Sequence, residues 1–400
     1  MYDFEARHMI EALRSGVPSR AVGQYFSDAR PKIMKEIADR LALVSEEGKA
    51  GGMVIAGKYG EGKTHLLNTV FNMAHQENMV FSFLSLSKET PMDKLYLIYS
   101  RIMQNTYLPR RLQPGIAQEL EKLSANSPAA SEMLLYAARS LETDKLYYLF
   151  RSYLNTEDPD ERFLLQADLE GDFVANAPLK KIYRRIFSET VKYNQNFTKT
   201  KHCGDYFSFM SHLFLQMGYH GWVILVDETE LMGRLGKKAR LKAYKNMAEF
   251  LFPEKAPAAT FTLFALSASY TEDVIEGKHE YENLETAEIP DKDTVRRVLD
   301  FLCRAPQLLP LTREEINEIL GKIQDFHGRA YDWEPKLPVS ALLEATQSGG
   351  YLLRTKIRAA IEFLDQLYQY GRAGKTVINE LGEEDLSEEV PSLEELEENL

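Results

Sequence analysis

An α/β fold built on a parallel sheet is predicted by three features of the sequence. Four short apolar runs, residues 53–56, 79–86, 221–228 and 259–269, have the length and residue types of strands. Between the first two, Leu66, Leu67, Val70, Met73 and Ala74 recur at helical spacing, giving the order strand, loop, helix, strand. Such a unit implies parallel strands joined by a right-handed crossover. The loop that opens the helix, Gly57-Lys58-Tyr59-Gly60-Glu61-Gly62-Lys63-Thr64, is rich in glycine.

The remaining elements follow in order. Residues 5–14 and 30–46 read as amphipathic helices, the second carrying Ile33, Ile37, Leu41 and Leu43 on one stripe. Gly48, Gly51 and Gly52 break helical character ahead of the first strand. From about 91 to 217 the pattern is helical with no clear strand. Ser127-Pro128 is a cap and first-turn pair, and Leu146, Leu149, Phe150, Tyr153 and Leu154 make one apolar face. Asp158-Pro159 and residues 176–178 read as loop signals, and most of 108–215 as helical decoration of the sheet.

After Pro290 the reading is helix to about Gly371. Asp293 precedes Val295, Leu299 and Leu302, and a second helix opens on a capping box, Thr312 with Glu315, flanked by the staple pair Leu311 and Ile316. The expected domains are a helical segment at 1–46, a sheet core at 47–290 with a helical insertion at about 108–215, a helical lid at 291–375 and an acidic tail at 376–400.

Length and a 44% hydrophobic content support a sizeable core. The net charge of −12 is uneven: residues 381–400 hold nine acids and no base, leaving only −3 on the rest of the chain. Like-charge repulsion makes that stretch a solvated tail, with docking as the alternative because Leu393, Leu396 and Leu400 fall near helical spacing. Cys203 and Cys303 are too few and too far apart for a metal cluster or a disulfide framework. No signal-peptide core occurs, and no window approaches the roughly 20 apolar residues of a membrane span. The expectation is a soluble cytoplasmic protein.

The glycine loop matches the Walker A pattern in full. Glycines let consecutive amides approach phosphate oxygens, and the helix that follows presents its positive end. Lys63 adds a point charge for the β and γ phosphates and Thr64 a hydroxyl for Mg²⁺, so the expected nucleotide-binding set is Gly57, Lys58, Tyr59, Gly60, Glu61, Gly62, Lys63, Thr64 and His65, the last reading equally as helix packing. A second Gly-Lys-Thr, within residues 371–376, follows a helix and has Gln369 where the pattern needs glycine; it reads as a helix end.

The run Trp222-Val223-Ile224-Leu225-Val226 delivers Asp227 and Glu228 to the carboxyl end of a strand, where open parallel sheets bind ligands. Asp227 is the expected partner of Thr64 on Mg²⁺, and Glu228 the group that polarises the attacking water. Ser267 or Ser269 supplies a polar group near the γ-phosphate, provided their strand lies beside that of Asp227 and opens at the same edge; Ser267 is preferred. In the last apolar helix Arg354 and Arg358 sit one turn apart, and Arg354 is the first choice for a lid arginine. Arg234, Lys237, Lys238, Arg240, Lys242 and Lys245 form a basic run with three readings: a solvated face, a nucleic-acid surface, or an arginine finger for a neighbouring subunit.

With these residues placed, the chain resembles the BREX-type ATP-binding proteins of bacterial phage-defence loci, within the AAA+ and origin-recognition-like ATPases. The likeness rests on residues 10–20, "IEALRSGVPSR", the loop "GKYGEGKTHLL" at 57–67, and residues 352–365, "LLRTKIRAAIEFLD". It covers most of 5–370, loosely in the helical middle. It implies a parallel-sheet P-loop NTPase (AAA+-like) core with a large helical insertion and a C-terminal helical lid, with Lys63, Thr64, Asp227 and Glu228 in their usual roles, ATP and Mg²⁺ as cofactors, and work within a multi-protein apparatus. The strand ending Ser267-Ala268-Ser269 departs from the Thr or Asn endings usual for sensor strands in that class.

The reading that follows is an ATPase coupling nucleotide state to lid movement or assembly, with defence proteins as partners, a homo-oligomer expected, and DNA as a further candidate partner. Its rivals are a nucleotide-gated switch with little turnover and a DNA-loading ATPase.

Overall fold

The computed structural model describes residues 3–15, 30–58, 61–346 and 353–373. The helices in chain order are α1 (Phe4–Ser15), α2 (Pro31–Glu47), α3 (Lys63–Gln76), α4 (Leu95–Gln104), α5 (Ala117–Leu120), α6 (Pro128–Arg139), α7 (Lys145–Asn155), α8 (Pro159–Ala167), α9 (Asn176–Phe187), α10 (Lys199–Gln216), α11 (Lys237–Leu251), α12 (Glu280–Thr286), α13 (Lys292–Cys303), α14 (Arg313–Tyr331), α15 (Val339–Thr346) and α16 (Leu353–Tyr370). The strands are β1 (Gly51–Gly57), β2 (Val80–Ser85), β3 (Thr106–Tyr107), β4 (Trp222–Asp227) and β5 (Thr260–Ser267). The chain divides into two compact units: one holds Arg30–Gly57 and Val70–Leu308, the other draws on Met1–Ala29, Lys58–Thr69 and Leu309–Leu400.

The first unit is organised by a five-stranded sheet of order β1-β5-β4-β2-β3, parallel except for the β2–β3 pair. β4 is buried along its whole length, as a strand covered on both faces must be, which is why it reads as an unbroken apolar run. Gly51 and Gly52, expected to break helical character ahead of the first strand, do so as the first residues of β1. Gly52 is required there because a Cβ would lie 2.7 Å from the Phe250 carbonyl oxygen where α11 crosses the strand. On the face of β2, Phe71 from α3 meets Phe81 edge-on with ring centroids 4.2 Å apart.

The helical stretch between β2 and β4 holds three departures from expectation. The two-residue β3 pairs with β2 and is too short to leave a periodic signal. Asp158-Pro159 opens α8 rather than a loop: the Asp158 carboxylate accepts from the amides of Asp160 and Glu161, and proline takes the first helical position. Residues 176–178 likewise form the first turn of α9, where Pro178 has no helical amide bond to lose. The Ser127 cap of α6 is as expected, its hydroxyl accepting from the Ala130 amide. The α13 helix, the first element of the expected lid, packs on α11 and belongs to the sheet's unit.

The second unit gathers α1 with α14, α15 and α16 around Ile10, Leu13, Ile323, Leu342, Ile361 and Leu364. Both capping-box bonds at Thr312 and Glu315 form, and Leu311 and Ile316 lie against the same core. Gly371, at φ 66°, ends α16 in the left-handed conformation, as the helix-end reading of that second glycine cluster requires; the rest of the cluster and the acidic tail lie outside the described residues.

A polar clamp joins the unit's first and last helices. Arg14 on α1 reaches both carboxylate oxygens of Asp365 on α16, at 2.9 and 3.0 Å. Buried His327 completes it: its Nδ1 accepts from the Trp333 indole at 2.9 Å, so Nε2 carries the proton and donates to Asp365 at 3.1 Å. Burial pushes the Asp365 pKa up, but the His327 hydrogen bond and the Arg14 charge outweigh it and hold the carboxyl below its ordinary value.

A carboxyl depressed in the folded state adds stability that is present above its unfolded pKa, near 3.9, and lost as pH falls through the lower folded value. Asp365→Asn should therefore lower the melting temperature at neutral pH and show a smaller difference from the parent at strongly acidic pH. A pair of thermal melts across that range checks it.

Candidate functional site

The candidate site is built at the carboxyl edge of the sheet. β5 lies between β1 and β4 and runs parallel to both, with Gly57 paired to Ser267 and Val226 to Phe264. The condition set for Ser267 is thus met: its strand adjoins that of Asp227 and opens at the same edge. β1 is held on its other side by the segment after α13, through Ala56 N–H to the Pro306 carbonyl at 2.9 Å and Leu308 N–H to that of Ala56 at 2.7 Å.

The glycine loop leaves β1 at Gly57 and ends where α3 begins at Lys63. Gly62 sits at φ 85°, a conformation that favours glycine. The Lys58 amide donates to a Glu61 carboxylate oxygen at 2.7 Å, so one loop N–H is satisfied by an anionic oxygen. The Lys63 ammonium turns back toward the Lys58 carbonyl at 3.4 Å, over the loop it follows. Loop amides, a helix start and a lysine are the components of an anion cradle. Tyr59 and Gly60 lie outside the described residues, as do the side chains of Thr64, His65 and Arg354; Thr64 and His65 occupy the first turn of α3 and Arg354 that of α16.

Asp227 ends β4 and is 6% exposed, while Glu228 is exposed. The Glu228 amide donates to the Asp227 carboxylate at 2.9 Å, and the Leu86 amide to the Asp227 carbonyl at 3.1 Å. Glu228 itself is left-handed, at φ 56° and ψ 33°. That conformation is uncommon for a residue with a side chain, and here it turns the chain sharply from strand into a 3-10 turn at Thr229–Arg234. A sheltered carboxylate at a strand end is a hard oxygen donor suited to Mg²⁺; an exposed one beside it is placed to meet solvent.

One functional candidate escaped the sequence reading. Glu230, in the same turn, accepts from the Ser267 amide at 3.1 Å and so ties the acid-bearing turn to the end of β5. Its only signal in the sequence is a third acid two positions after Glu228, which spacing alone does not distinguish from solvated charge. The Ser267 hydroxyl pairs with that of Ser269 at 3.2 Å.

The basic run separates by environment. Arg240 is buried against Glu280, its Nε–H donating to Oε1 at 2.9 Å, and it also reaches the Leu235 carbonyl. It is a structural ion pair and is withdrawn from both surface roles. Lys245 pairs with Asp291 at 2.8 Å and Lys237 donates to the Thr286 hydroxyl at 3.1 Å. Arg234, Lys238 and Lys242 are exposed, as is Arg358 on α16. Among the described residues no helix is long and apolar enough to cross a membrane.

No curated protein matches the chain. A family does, over residues 3–122 and 195–377, and the internal part it leaves out, 123–194, falls inside the helical insertion. Two of the stretches that carry the resemblance meet in one unit, Arg14 of the leading segment holding Asp365 of the closing one. The chain belongs to the family of BREX system ATP-binding proteins BrxC/D.

Proposed function

We propose that the chain is a Mg²⁺-dependent ATPase that converts nucleotide state into conformational or assembly changes within a BREX defence complex. The observation that carries this reading is the arrangement of the sheet edge. β1, which the Walker A loop continues, ends at the same edge as the strand of Asp227 and Glu228, with Ser267 on the strand between them. The family's ATP-binding description supports the nucleotide.

In this reading the loop from Gly57 to Thr64 wraps the phosphates with its amides, and Lys63 places its charge on the β and γ groups. Thr64 and Asp227 would hold Mg²⁺, which would supply charge neutralisation for the phosphates. Glu228 orients the attacking water, Ser267 donates toward the γ-phosphate, and Arg354 acts from a helical lid that begins after α13. Other defence proteins are the first expected partners, a homo-oligomer the expected state, and DNA a further candidate through Arg234, Lys238 and Lys242.

The test is steady-state phosphate release. Glu228→Gln removes the base without removing the cradle, so turnover should fall by roughly 10²–10⁴-fold while ATP affinity stays within a few-fold of the parent. Equal, negligible release by parent and variant, with ATP still bound, would instead identify a nucleotide-gated switch.

A further inference from the structure

The 3-10 turn after Asp227 makes contacts beyond the Glu230–Ser267 bond, through Leu231, Met232 and Arg234. Between it and the segment that follows β2 lies a cavity of about 340 Å³. Leu86 and Met92 form its buried floor, and Lys88, Lys94 and Arg234 stand exposed around it. Neither Lys94 nor Arg234 forms an ion pair with a described residue, unlike Arg240 and Lys245 a few residues on. The acid in the lining is Asp93, whose Oδ1 is enclosed and has no hydrogen-bond partner among the described residues. A buried oxygen in that state costs stability until a donor reaches it.

These features ask for a ligand with three properties: an apolar side chain for the floor, carboxylates for the surrounding cations, and an N–H for Asp93. A bare phosphate backbone supplies neither the apolar group nor the donor. A peptide with leucines among acids supplies all three, and this chain carries one. Residues 392–400, "SLEELEENL", place Leu393 and Leu396 among Glu394, Glu395, Glu397 and Glu398, within a stretch of nine acids and no base.

We propose that this cavity docks the acidic segment of a second copy of the chain, with Leu393 or Leu396 in the apolar floor and its glutamates on Lys88, Lys94 and Arg234. Exposed ion pairs are individually weak, so the buried leucine holds the segment while the charges select and orient it. The contact requires no hydrolysis, so it stands or falls separately from the proposed ATPase.

The experiment uses the full chain with a photo-crosslinking residue at position 400, light and heavy isotope-labelled copies being mixed before irradiation and mass spectrometry. Expected are light-to-heavy crosslinks onto residues 86–94 or 231–235. They should fall about tenfold in Lys94→Glu/Arg234→Glu and, independently, in Leu393→Ser/Leu396→Ser, and weaken as salt is raised. The second variant alters nothing in the described fold, so a folding defect in the first leaves the test intact. Crosslinks to other surfaces, within single copies only, or unchanged in the leucine variant overturn the proposal. So does loss of duplex DNA binding in the charge variant without any tail crosslink to the cavity, which would assign the cations to nucleic acid.

Discussion

Lys63→Ala should weaken ATP binding by on the order of 100-fold, equivalent to about 3 kcal/mol, with little change in melting temperature. The asymmetry follows from where the side chain spends its interactions. Its contact with the Lys58 carbonyl, at 3.4 Å, is long for a hydrogen bond and adds little to stability. In the proposed nucleotide complex the same group would meet phosphate oxygens instead, and each charge-assisted hydrogen bond is worth about 1.5–3 kcal/mol. Lys63→Arg keeps the charge but not the compact ammonium, so it should recover only part of the loss. Titration of each variant with ATP and Mg²⁺ by calorimetry, beside a thermal melt, reads both quantities. An unchanged dissociation constant for Lys63→Ala would remove the loop from the nucleotide site and the proposed mechanism with it.

The parts of this site that the sequence made legible are those where chemistry and period coincide. β4 is buried on both faces, so its apolar run is unbroken and its acidic end is conspicuous; the glycine-rich stretch before α3 is a dense local pattern. What escaped depends on relations between distant residues. Glu230 matters through the Ser267 amide, 37 positions away in sequence, and β3 exists only because β2 offers it an edge. Asp158-Pro159 misled for a different reason. Proline after aspartate signals either a turn or a helix start, and the capping of two downstream amides, visible only in three dimensions, decides for the helix. The basic run reads as one surface feature, yet Glu280 lies 40 residues beyond Arg240 and draws that arginine inward, so a uniform patch divides into a buried pair, the partnered Lys237 and Lys245, and a few exposed cations.

The helical insertion contains a device with a large expected effect on stability. Lys145, at the start of α7, and Asp168, after α8, are both fully buried, with Nζ 2.7 Å from Oδ2. The ammonium also donates to the Val174 carbonyl at 3.3 Å and lies 4.0 Å from the centre of the Phe197 ring, while the Tyr206 hydroxyl donates to the other Asp168 oxygen at 2.6 Å. Burial raises the Asp168 pKa and lowers that of Lys145; each is charged only because the other is. Lys145→Ala therefore leaves a buried carboxylate with only the Tyr206 hydroxyl and the Val174 backbone to offset it, and should cost about 3–5 kcal/mol, or roughly 10 °C in melting temperature. The loss should also depend on pH in a definite sense. With its cation gone, Asp168 folds with a pKa raised further above the unfolded value, and a raised carboxyl contributes stability at low pH that disappears as pH climbs through the folded pKa. The Lys145→Ala deficit should thus be smallest near pH 4 and grow toward pH 8, whereas Lys145→Met with Asp168→Asn, which buries no charge, should recover much of the loss and show a flatter profile. A Lys145→Ala protein melting within about 2 °C of the parent at neutral pH would mean that water reaches the pair. Because both residues fall in 123–194, outside the stretch matched to the family, the folded fraction of either variant should keep the parent's ATP affinity, so that the insertion's stability and the nucleotide site can be perturbed one at a time.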